Sequence, residues 1–573
     1  MPRVPRTSSG GAIGRPSPAW PCGPLPRSPG GFRRFALRCA FVPCGSGGAG
    51  ATGCGRCSWN SIAAIAGCSG SRRFPLGFER IPRRSGLVRR MGPMHGSNSP
   101  EPPKPAQVAL LLFGLSLTVY LLSGPVFFGY DGEIMYRVSE SLVMRHSLEV
   151  TDPIYHFAQP WSPYGIGTSI MLLPLVGAGA LLLNDPRAFV ILYLPAVTAL
   201  TVVAFNGVLV TLGVSWTRAA WLSLILAFST LLWHYSGVLF SEPLVGLAIT
   251  VSLLCLLRYR RTTRRGWLAF AGLAGGVGLL ARIDSVFLVL PVFGLYALML
   301  IVKGRRQWQP RVIDLVAYAG PIAAAGCVSL AYDVVRYGAP LHGPYGTDPI
   351  GFAEPLLSGL YGLLLSPGAG ILVFTPVLAL GVAGFPAFFR RFRAEAIVIA
   401  ALFLLRLLFY ARWWDWSGGA TWGPRFLVPL IPLMLVAVAF VYGRRWRVAI
   451  AGLGALGLGI ELLGQLVPYG LVYGSIVPQI ASRLGVCTCV PSPSLGSRAV
   501  HQVMAFDWHW SPLLWQMRYL LDGVLAPAWG PIALFALPLL LVVVVVVGVR
   551  IRRLTRELDA VQAAADRPDV AAA

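Results

Sequence analysis

Residues 390–447 read RRFRAEAIVIAALFLLRLLFYARWWDWSGGATWGPRFLVPLIPLMLVAVAFVYGRRWR. Two apolar stretches, residues 395–411 and 426–442, flank a short loop that holds four tryptophans, and arginines cluster beyond both stretches. An apolar helix of about 20 residues can cross a bilayer, and cytoplasmic loops are enriched in Lys and Arg. The segment is therefore predicted to cross a membrane twice, with both arginine clusters in the cytoplasm and the aromatic loop outside.

Similar apolar stretches recur from residue 106 to residue 549. The chain has 573 residues, of which 55% are hydrophobic and only 12% are charged, whereas a soluble domain is about a quarter charged. We predict an all-α polytopic membrane protein, a bundle of about 12–14 transmembrane helices. The remaining predicted spans are 106–123, 166–183, 188–212, 219–235, 242–257, 267–281, 285–302, 312–331, 369–388, 447–468 and 529–549.

From residue 258 onward, every second connector between predicted spans is rich in arginine. The positive-inside rule places these connectors in the cytoplasm and the alternate connectors outside. With a cytoplasmic N-terminus, the loop 124–163 is also external, but a count of full spans from that loop then places the arginines after residue 257 outside. One segment between 164 and 257 must therefore be split, re-entrant or interfacial. The predicted external connectors are 124–163, 282–284, 332–368, 412–425 and 469–528.

The first 90 residues differ in composition from the rest of the chain. They hold fifteen arginines and one acid, so +14 of the net charge of +25 lies there, together with six of the ten cysteines. This uneven distribution argues against a nucleic-acid-binding protein. We predict that residues 1–90 are disordered or a mis-annotated extension, with translation starting at Met91 or Met94, and a transit peptide is the alternative. Residues 91–105 are predicted to be a cytoplasmic segment.

The first external loop carries the strongest candidates for acid–base chemistry. Asp131 and Glu133 lie next to the predicted membrane edge, where ionisable groups are costly and are functional candidates. Each has a structural alternative: Asp131 can cap a helix that begins at residue 133, and Glu133 can pair with Arg137 at i+4. Asp152, in TDPIYH, is a secondary acid candidate, although Asp-Pro is also a common turn.

The aromatic loop 412–425 combines groups that suit a phosphorylated, sugar-bearing lipid. Arg425 is a candidate for bidentate phosphate recognition. Trp413, Trp414 and Trp422 can stack on sugar rings or isoprenoid chains, although tryptophans also form interfacial belts. Asp415 is a second acid candidate in this loop.

Further candidates lie at the ends of other predicted spans. Arg282 and Arg336 are additional candidates for donor phosphate binding, and Tyr345 is a candidate for sugar or lipid contact. For Arg282 the alternative is a buried pair with Asp284. Glu242 begins a predicted helix just before a proline and is interpreted as an N-cap or helix-dipole residue.

The chain resembles the GT-C superfamily of integral-membrane glycosyltransferases, and most closely glycosyltransferase family 39, which is related to protein O-mannosyltransferases and lipid A aminoarabinose transferases. The resemblance covers residues 106 to about 445 and rests on YDGEIMY, SPYGIGTSIMLLPL, SEPL, RID and WWDWSGGATWGPRFLVPLIP. It implies sugar transfer from a polyprenyl-phosphate carrier to an acceptor on the outer side of the membrane. It also implies that an acid in the first external loop acts as general base or orients the acceptor, a role that matches Asp131, with Glu133 as the second acid.

Two departures from the family pattern affect these assignments. Paired acids in the family are commonly adjacent, whereas here Gly132 separates them. Some relatives carry a lysine before the segment that matches SPYG, and none is present here. Phosphate binding is therefore assigned to Arg425, Arg336 and Arg282.

The predicted function is a membrane glycosyltransferase that moves a hexosyl or pentosyl group from a lipid phosphate to a protein, lipid or polysaccharide hydroxyl. The predicted location is the bacterial plasma membrane. A transporter or flippase for a lipid-linked solute is the main alternative, and a non-catalytic assembly protein is a second. We assign no metal ligands and no cofactor, and a divalent metal requirement stays open. The predicted domains are a GT-C-like module at 106–445, a C-terminal membrane region at 446–549 and a cytoplasmic tail at 550–573.

Overall fold

The computed structural model describes residues 105–124, 128–150, 160–304, 307–341, 351–486, 495–524 and 531–565, with the side chains of 495–497, 531–541 and 565 left out. Throughout these ranges the regular structure is helical and no strand occurs, which confirms the all-α prediction. Asp152, Tyr345 and the N-terminal extension lie outside the described residues.

Twenty α-helices are described within these ranges. Short 3₁₀ turns connect several of them, including Val190–Leu192, His234–Ser236 and Arg425–Leu430. The helices are α1 Pro105–Leu122, α2 Tyr130–Arg145, α3 Gly167–Leu183, α4 Tyr193–Thr211, α5 Trp216–Phe228, α6 Glu242–Thr262, α7 Arg265–Ala281, α8 Ser285–Leu288, α9 Leu290–Gly304, α10 Trp308–Tyr337, α11 Leu356–Leu365, α12 Ile371–Phe374, α13 Ala379–Arg391, α14 Arg393–Arg412, α15 Ile431–Val436, α16 Arg444–Leu466, α17 Tyr469–Leu484, α18 Leu495–Phe506, α19 Pro512–Leu521 and α20 Pro531–Ala565.

Among the described helices, 7 are long and apolar enough to cross a membrane. They coincide with sequence-predicted spans, because a run of about 20 apolar residues is legible without knowledge of its neighbours. The seven segments are Pro105–Leu122, Val190–Thr211, Glu242–Thr262, Ser285–Gly304, Trp308–Tyr337, Arg393–Arg412 and Arg444–Leu466. Shorter apolar helices are Gly167–Leu183, Trp216–Phe228, Arg265–Ala281, Leu356–Leu365 and Arg425–Phe440.

Helix α3 accounts for the irregularity in the predicted topology. We call the side of the bundle where α6 begins and α14 ends the loop side. At the start of α3, a Cβ on Gly167 would lie 2.5 Å from the nitrogen of Ala281, the last residue of α7. Just after α3 ends, Arg187 forms an ion pair with Glu133 in the first turn of α2. Both ends of α3 thus lie on the loop side, so α3 is not counted as a membrane span. With α3 left out of the count, the arginine-rich connectors all fall on the opposite side of the bundle.

The predicted loops on the loop side contain helices. Helix α2 lies in the loop 124–163, α11 lies in 332–368, and α17, α18 and α19 fill most of 469–528. The C-terminal helices pack onto the connectors of the preceding module: Ser511 Oγ donates to the Pro367 carbonyl at 2.8 Å, and Gly368 N donates to the Ala505 carbonyl at 2.9 Å. The helices α18 and α19 therefore form part of the loop-side structure.

Helix α20 joins the last predicted span to the predicted tail. It is one continuous helix from Pro531 to Ala565, and the tail residues Ile551, Leu554 and Leu558 are buried. The Asp559 carboxylate accepts hydrogen bonds from the backbone nitrogens of Trp216 at 2.7 Å and Thr217 at 3.2 Å. These are unpaired donors of the first turn of α5, so Asp559 caps that helix from the far end of the chain.

Candidate active site

Asp131 lies in the first turn of α2, facing two of the quoted motifs. The helix begins at Tyr130 after Gly129 and shows no side-chain cap bond, so Asp131 is not the N-cap. Its Oδ1 accepts a hydrogen bond from Tyr164 Oη at 2.6 Å, and its Oδ2 accepts one from Arg425 Nη2 at 2.8 Å. The side chain is 17% exposed. The SPYG and WGPR segments therefore hold this carboxylate from two sides.

Gly132 explains why the two acids of this loop are not adjacent. A Cβ at this position would overlap the Leu239 carbonyl oxygen, so α2 can pack here only with glycine. Glu133, on the next position, binds Arg137 Nε at 2.8 Å and also pairs with Arg187. This is the i+4 alternative considered from the sequence. Glu133 thus has different partners from Asp131, and the two acids do not form a pair.

Arg425 links Asp131 to a second, deeply buried acid. Besides the bond to Asp131, its Nε lies 3.2 Å from Glu242 Oε1, and its guanidinium lies 4.7 Å from the centre of the Phe240 ring. Within the described part of the chain its Nη1 makes no hydrogen bond, and the side chain is 13% exposed. Arg425 therefore keeps one nitrogen available for a ligand oxygen.

Arg282 lies deeper in the same cluster and is bound by protein groups. It donates to Glu242 at 2.7 Å, to Asp284 at 3.2 Å and to the Tyr410 hydroxyl at 3.0 Å. Arg406 Nη2 in turn lies 3.5 Å from Asp284 Oδ2. The buried-pair alternative for Arg282 and Asp284 is what the structure shows. We call the six ionic groups the charge network: Asp131, Glu242, Asp284, Arg282, Arg406 and Arg425.

Arg336 holds a backbone segment and does not face the charge network. Its Nη1 donates to the carbonyls of Ser162 at 2.7 Å and Tyr164 at 3.1 Å, and its Nη2 donates to Asp333 at 2.6 Å. The guanidinium also stacks 3.9 Å from the centre of the Tyr332 ring. Because these contacts fix the SPYG backbone, Arg336 positions Tyr164 against Asp131.

The tryptophans of the aromatic loop have different environments. Trp422 is 1% exposed, packs edge-on against Phe374 with ring centres 5.0 Å apart, and donates through Nε1 to Gln516 at 2.9 Å. Trp422 therefore packs in the interior next to α19, and its ring has almost no surface available to a ligand. Trp413 packs against Phe352, and both Trp413 and Trp414 are partly exposed.

The glycine pair of the loop shapes it around Arg425. Gly418 and Gly419 have φ angles of +82° and +72°, which disfavour residues with a side chain. A Cβ on Gly418 would lie 2.8 Å from Arg425 Cγ. The loop backbone thus packs directly on the aliphatic part of the arginine side chain and limits the positions it can adopt.

A cleft opens on the other side of the same loop. It is shallow and lies between the loop and α18, and the volume inside it that water can occupy is about 10 Å³, which is room for about one water molecule. Asp415 accepts hydrogen bonds from Gly419 N at 3.1 Å and Ser417 Oγ at 3.4 Å, and burial raises the pKa of its carboxyl to about 6. Burial lowers the pKa of His501 to about 4, so its imidazole is neutral at pH 7. The lining residues are Trp414, Asp415, Trp416, Ser417, Arg498, His501 and Gln502.

Several members of this site were not identified from the sequence. Tyr164 lies inside the quoted SPYG motif, and Glu242 was interpreted only as a helix-end residue. Arg406 could have been identified from the sequence, because an arginine within the apolar run ALFLLRLLFY is a functional candidate by its position alone. Among the described residues, no group of three His, Cys, Asp or Glu side chains is arranged to hold a metal ion.

The chain was compared with solved structures, with curated proteins and with protein-family models. Among solved structures, ArnT from Cupriavidus metallidurans bound to undecaprenyl phosphate aligns at 15% identity over 74% of this chain and 78% of that chain, with a TM-score of 0.44. The oligosaccharyltransferase of Archaeoglobus fulgidus in the apo form aligns at 12% identity over 72% of this chain and 55% of that chain, with a TM-score of 0.36. No curated protein matches the sequence.

A family model described as dolichyl-phosphate-mannose-protein mannosyltransferase matches residues 186–328. The matched segment contains Glu242, Arg282 and Asp284 of the charge network, whereas Asp131 and Arg425 lie outside it. This match confirms the predicted resemblance of the chain to the GT-C superfamily of membrane glycosyltransferases.

Proposed function

We propose that this protein transfers a sugar from a polyprenyl-phosphate-linked donor to an acceptor hydroxyl, with Asp131 as general base and Arg425 as the phosphate-binding residue. The observation that carries the proposal is the Asp131–Arg425 pair at 2.8 Å, in which Arg425 retains an unused Nη1 among its described contacts. In this proposal the base and the phosphate-binding group are side chains in direct contact. The name of the matching family model supports the lipid-phosphate class of donor.

The proposed reaction is a direct displacement. Asp131 accepts the proton of the acceptor hydroxyl, whose oxygen attacks the anomeric carbon of the donor. The bond from that carbon to the phosphate oxygen breaks, and polyprenyl phosphate leaves with the electron pair. General base catalysis contributes roughly 10²–10⁴-fold in rate. Arg425 stabilises the charge that develops on the leaving phosphate.

The comparison of the three candidate arginines favours Arg425 for this role. Arg282 is bound by Glu242, Asp284 and Tyr410, and Arg336 is bound by two carbonyls and Asp333. A phosphate at either arginine would have to displace these contacts, and a buried acid left without its partner is costly. We therefore assign Arg282 and Arg336 to positioning roles.

The loop side is proposed to face the outside of the cell. The basic residues at the ends of α6, α9 and α13, at the start of α16 and at positions 550–556 of α20 lie at the opposite side of the bundle from Asp131 and Arg425. Since Lys and Arg are enriched on the cytoplasmic side, this distribution supports an outward-facing site.

The proposal is tested with the full-length protein reconstituted in lipid. A panel of radiolabelled polyprenyl-phosphate sugars is incubated with membrane extracts as a source of acceptors, and release from the lipid is measured. Asp131→Asn keeps the size of the side chain but cannot act as the base, and Asp522→Asn, at an exposed position at the end of α19, is the matched control. We expect turnover by the wild type and the control and a loss of at least about 100-fold in Asp131→Asn.

Two outcomes would contradict the proposal. Full turnover by a folded Asp131→Asn protein would exclude the base assignment. No turnover of any donor by folded wild type, combined with uptake or flipping of a labelled lipid-linked sugar in sealed vesicles, would support the transporter alternative.

A further inference from the structure

Six exposed arginines lie together on the side of the bundle opposite the charge network. We propose that they bind the headgroups of anionic phospholipids in the membrane leaflet at that side. They come from two separate connectors, one between α13 and α14 and the other at the start of α16. We call them the basic patch: Arg390, Arg391, Arg393, Arg444, Arg445 and Arg447.

Aromatic packing brings the two connectors of the basic patch together. Phe440, just before α16, stacks on Phe388 of α13 with ring centres 4.9 Å apart and packs edge-on against Phe392 at 5.7 Å. A Cβ on Gly384 would overlap the Ala437 carbonyl oxygen, so the backbone of α13 lies directly against this segment. Because Phe388 and Phe440 are buried, the arginines that follow them emerge on one surface.

The charge of the basic patch is not balanced by the protein. All six arginines are exposed, and within the described residues none of their side chains makes an ion pair or a hydrogen bond. The acid closest to them in the sequence, Glu395, is 1% exposed and is already paired with Arg260 at the end of α6. Positive charges concentrated on one surface create a potential that attracts anions. The basic patch therefore favours an anionic partner.

A second basic connector on the same side, between α6 and α7, differs in this respect. There Arg260 pairs with Glu395, and Arg265 Nε donates to the buried Asp314 at 2.7 Å. The positive-inside rule predicts the same location for both connectors and does not distinguish them. The structure does, because buried acids neutralise part of the charge of the second connector and none of the charge of the basic patch.

The basic patch lies where a membrane surface is expected. Two candidate membrane spans begin within it, since α14 starts at Arg393 and α16 starts at Arg444. Tyr442 is 60% exposed and Trp446 is partly exposed, and the guanidinium of Arg445 lies 5.2 Å from the centre of the Trp446 ring. Tyrosine and tryptophan favour the interface between membrane and water. Clusters of about four to eight basic residues beside a membrane span are typical of anionic-lipid binding.

Apolar surface next to the arginines favours a phospholipid over a soluble phosphate. Residues four positions apart lie on the same face of a helix. Arg444 is followed at this spacing by Val448, which is 65% exposed, and Arg393 is followed by Ile397, which is 53% exposed. Each guanidinium can thus bind a phosphodiester while the acyl chains of the same lipid cover the neighbouring apolar side chains.

Lipid binding is measured on the full-length protein in a neutral detergent. The protein is titrated with phosphatidylglycerol and, separately, with phosphatidylcholine, and the bound lipids are counted by native mass spectrometry. The test variant is Arg444→Gln with Arg445→Gln. The matched control is Arg261→Gln with Arg264→Gln, which removes two exposed charges from the second connector. We expect the wild type and the control to bind phosphatidylglycerol about tenfold more tightly than phosphatidylcholine, and the test variant to lose this preference.

Two further arms make the test specific. An excess of glycerol phosphate, which has the anionic group without acyl chains, should leave phosphatidylglycerol bound, and added salt should weaken only the anionic lipid. If the double variant does not fold, Arg447→Gln alone replaces it, with a smaller loss of preference expected.

The inference is overturned if the two lipids bind the wild type equally, if the test and control variants lose the same affinity, or if glycerol phosphate displaces the lipid. None of these measurements needs turnover, so the result is independent of the proposed function.

Discussion

The charge network and the cleft lie on two sides of one loop, residues 413–425, but they use their polar atoms differently. In the network, three acids and three arginines are paired with one another, and few of their atoms remain for a ligand. In the cleft, Arg498 is paired with Glu354, whereas Asp415 has no arginine in hydrogen-bond contact. The difference shows that the two sides of a single loop can hold their acids in different ways, one by ion pairs and the other by hydrogen bonds from the loop itself.

The largest expected effect comes from unbalancing the charge network. Glu242→Gln leaves Arg282 and Arg425 without their shared carboxylate, and breaking a buried ion pair costs about 3–5 kcal/mol. We expect a corresponding fall in stability, measured by thermal or denaturant unfolding in nanodiscs. The control is Glu557→Gln, whose partner Arg553 is 71% exposed, and here the change should stay below about 1 kcal/mol. Equal losses in the two variants would show that the network is not a buried, mutually dependent unit.

The next effect concerns Arg425, which contacts Asp131 and Glu242 and is also the proposed phosphate-binding residue. Arg425→Lys keeps the positive charge but cannot contact Asp131, Glu242 and a phosphate with a planar fork. We expect transfer to fall by about 10²–10³-fold, measured as turnover of the lipid-linked donor, because one stabilising donor is lost from the transition state. Arg518→Lys, at an exposed position on α19, should leave turnover unchanged. Near-normal activity in Arg425→Lys would remove Arg425 from the mechanism.

A smaller effect separates backbone strain from the packing of the loop on Arg425. Gly418 and Gly523 have φ angles of +82° and +76°, so an alanine at either position carries a similar strain of about 1 kcal/mol. Only at Gly418 does the added Cβ meet the Arg425 side chain, whereas nothing lies within 4 Å at Gly523. We therefore expect both variants to lose some stability but only Gly418→Ala to lose activity, by roughly tenfold. The same activity in both would mean that Arg425 tolerates displacement.

The smallest effect is a pH dependence of the unfolding free energy, caused by the Asp415 carboxyl in the cleft. The pKa of Asp415 is raised to about 6 in the folded protein, so the folded state holds this proton more strongly than the unfolded chain does. Its contribution to stability is therefore present below about pH 4 and is lost as the pH rises through about 6. After discounting for the partial exposure of Asp415, the unfolding free energy lost as its carboxyl ionises amounts to about 1–2 kcal/mol.

This pH dependence is measured as the difference in unfolding free energy between wild type and Asp415→Asn from pH 4 to pH 7. The ionic groups that act on Asp415 are Arg425 and Asp131, and the His501 that shares the cleft is neutral over most of this range. A difference that stays constant across the range would contradict the raised pKa.

The sequence was sufficient for the membrane helices because their signal is local. Each span is a run of apolar residues, and the arginine clusters assign its direction. Helix α3 was the exception: its 17 residues are apolar, and only contacts at Gly167 and Arg187 show that both ends lie on one side. Such contacts join distant segments and leave no pattern in the sequence.

The candidate site was predictable in its residue types and less so in its pairings. Asp131 and Arg425 are 294 positions apart, and nothing between them indicates that they meet. Trp422 and Trp414 look equivalent in the sequence, yet one is interior and the other lines the cleft. Helix α18 was treated as part of a long external loop, because a helix of 12 residues on the surface has neither the length nor the apolar run of a span.

The hydrogen bonds between Asp559 and the start of α5 have a consequence for biogenesis. They connect positions 342 and 343 residues apart, so the backbone nitrogens of Trp216 and Thr217 cannot gain this acceptor until almost the whole chain has been synthesised. Until then α5 has only its local cap, in which the Ser215 side chain accepts from Arg218 N. A chain truncated before residue 559 would leave two donors in the first turn of α5 without this acceptor.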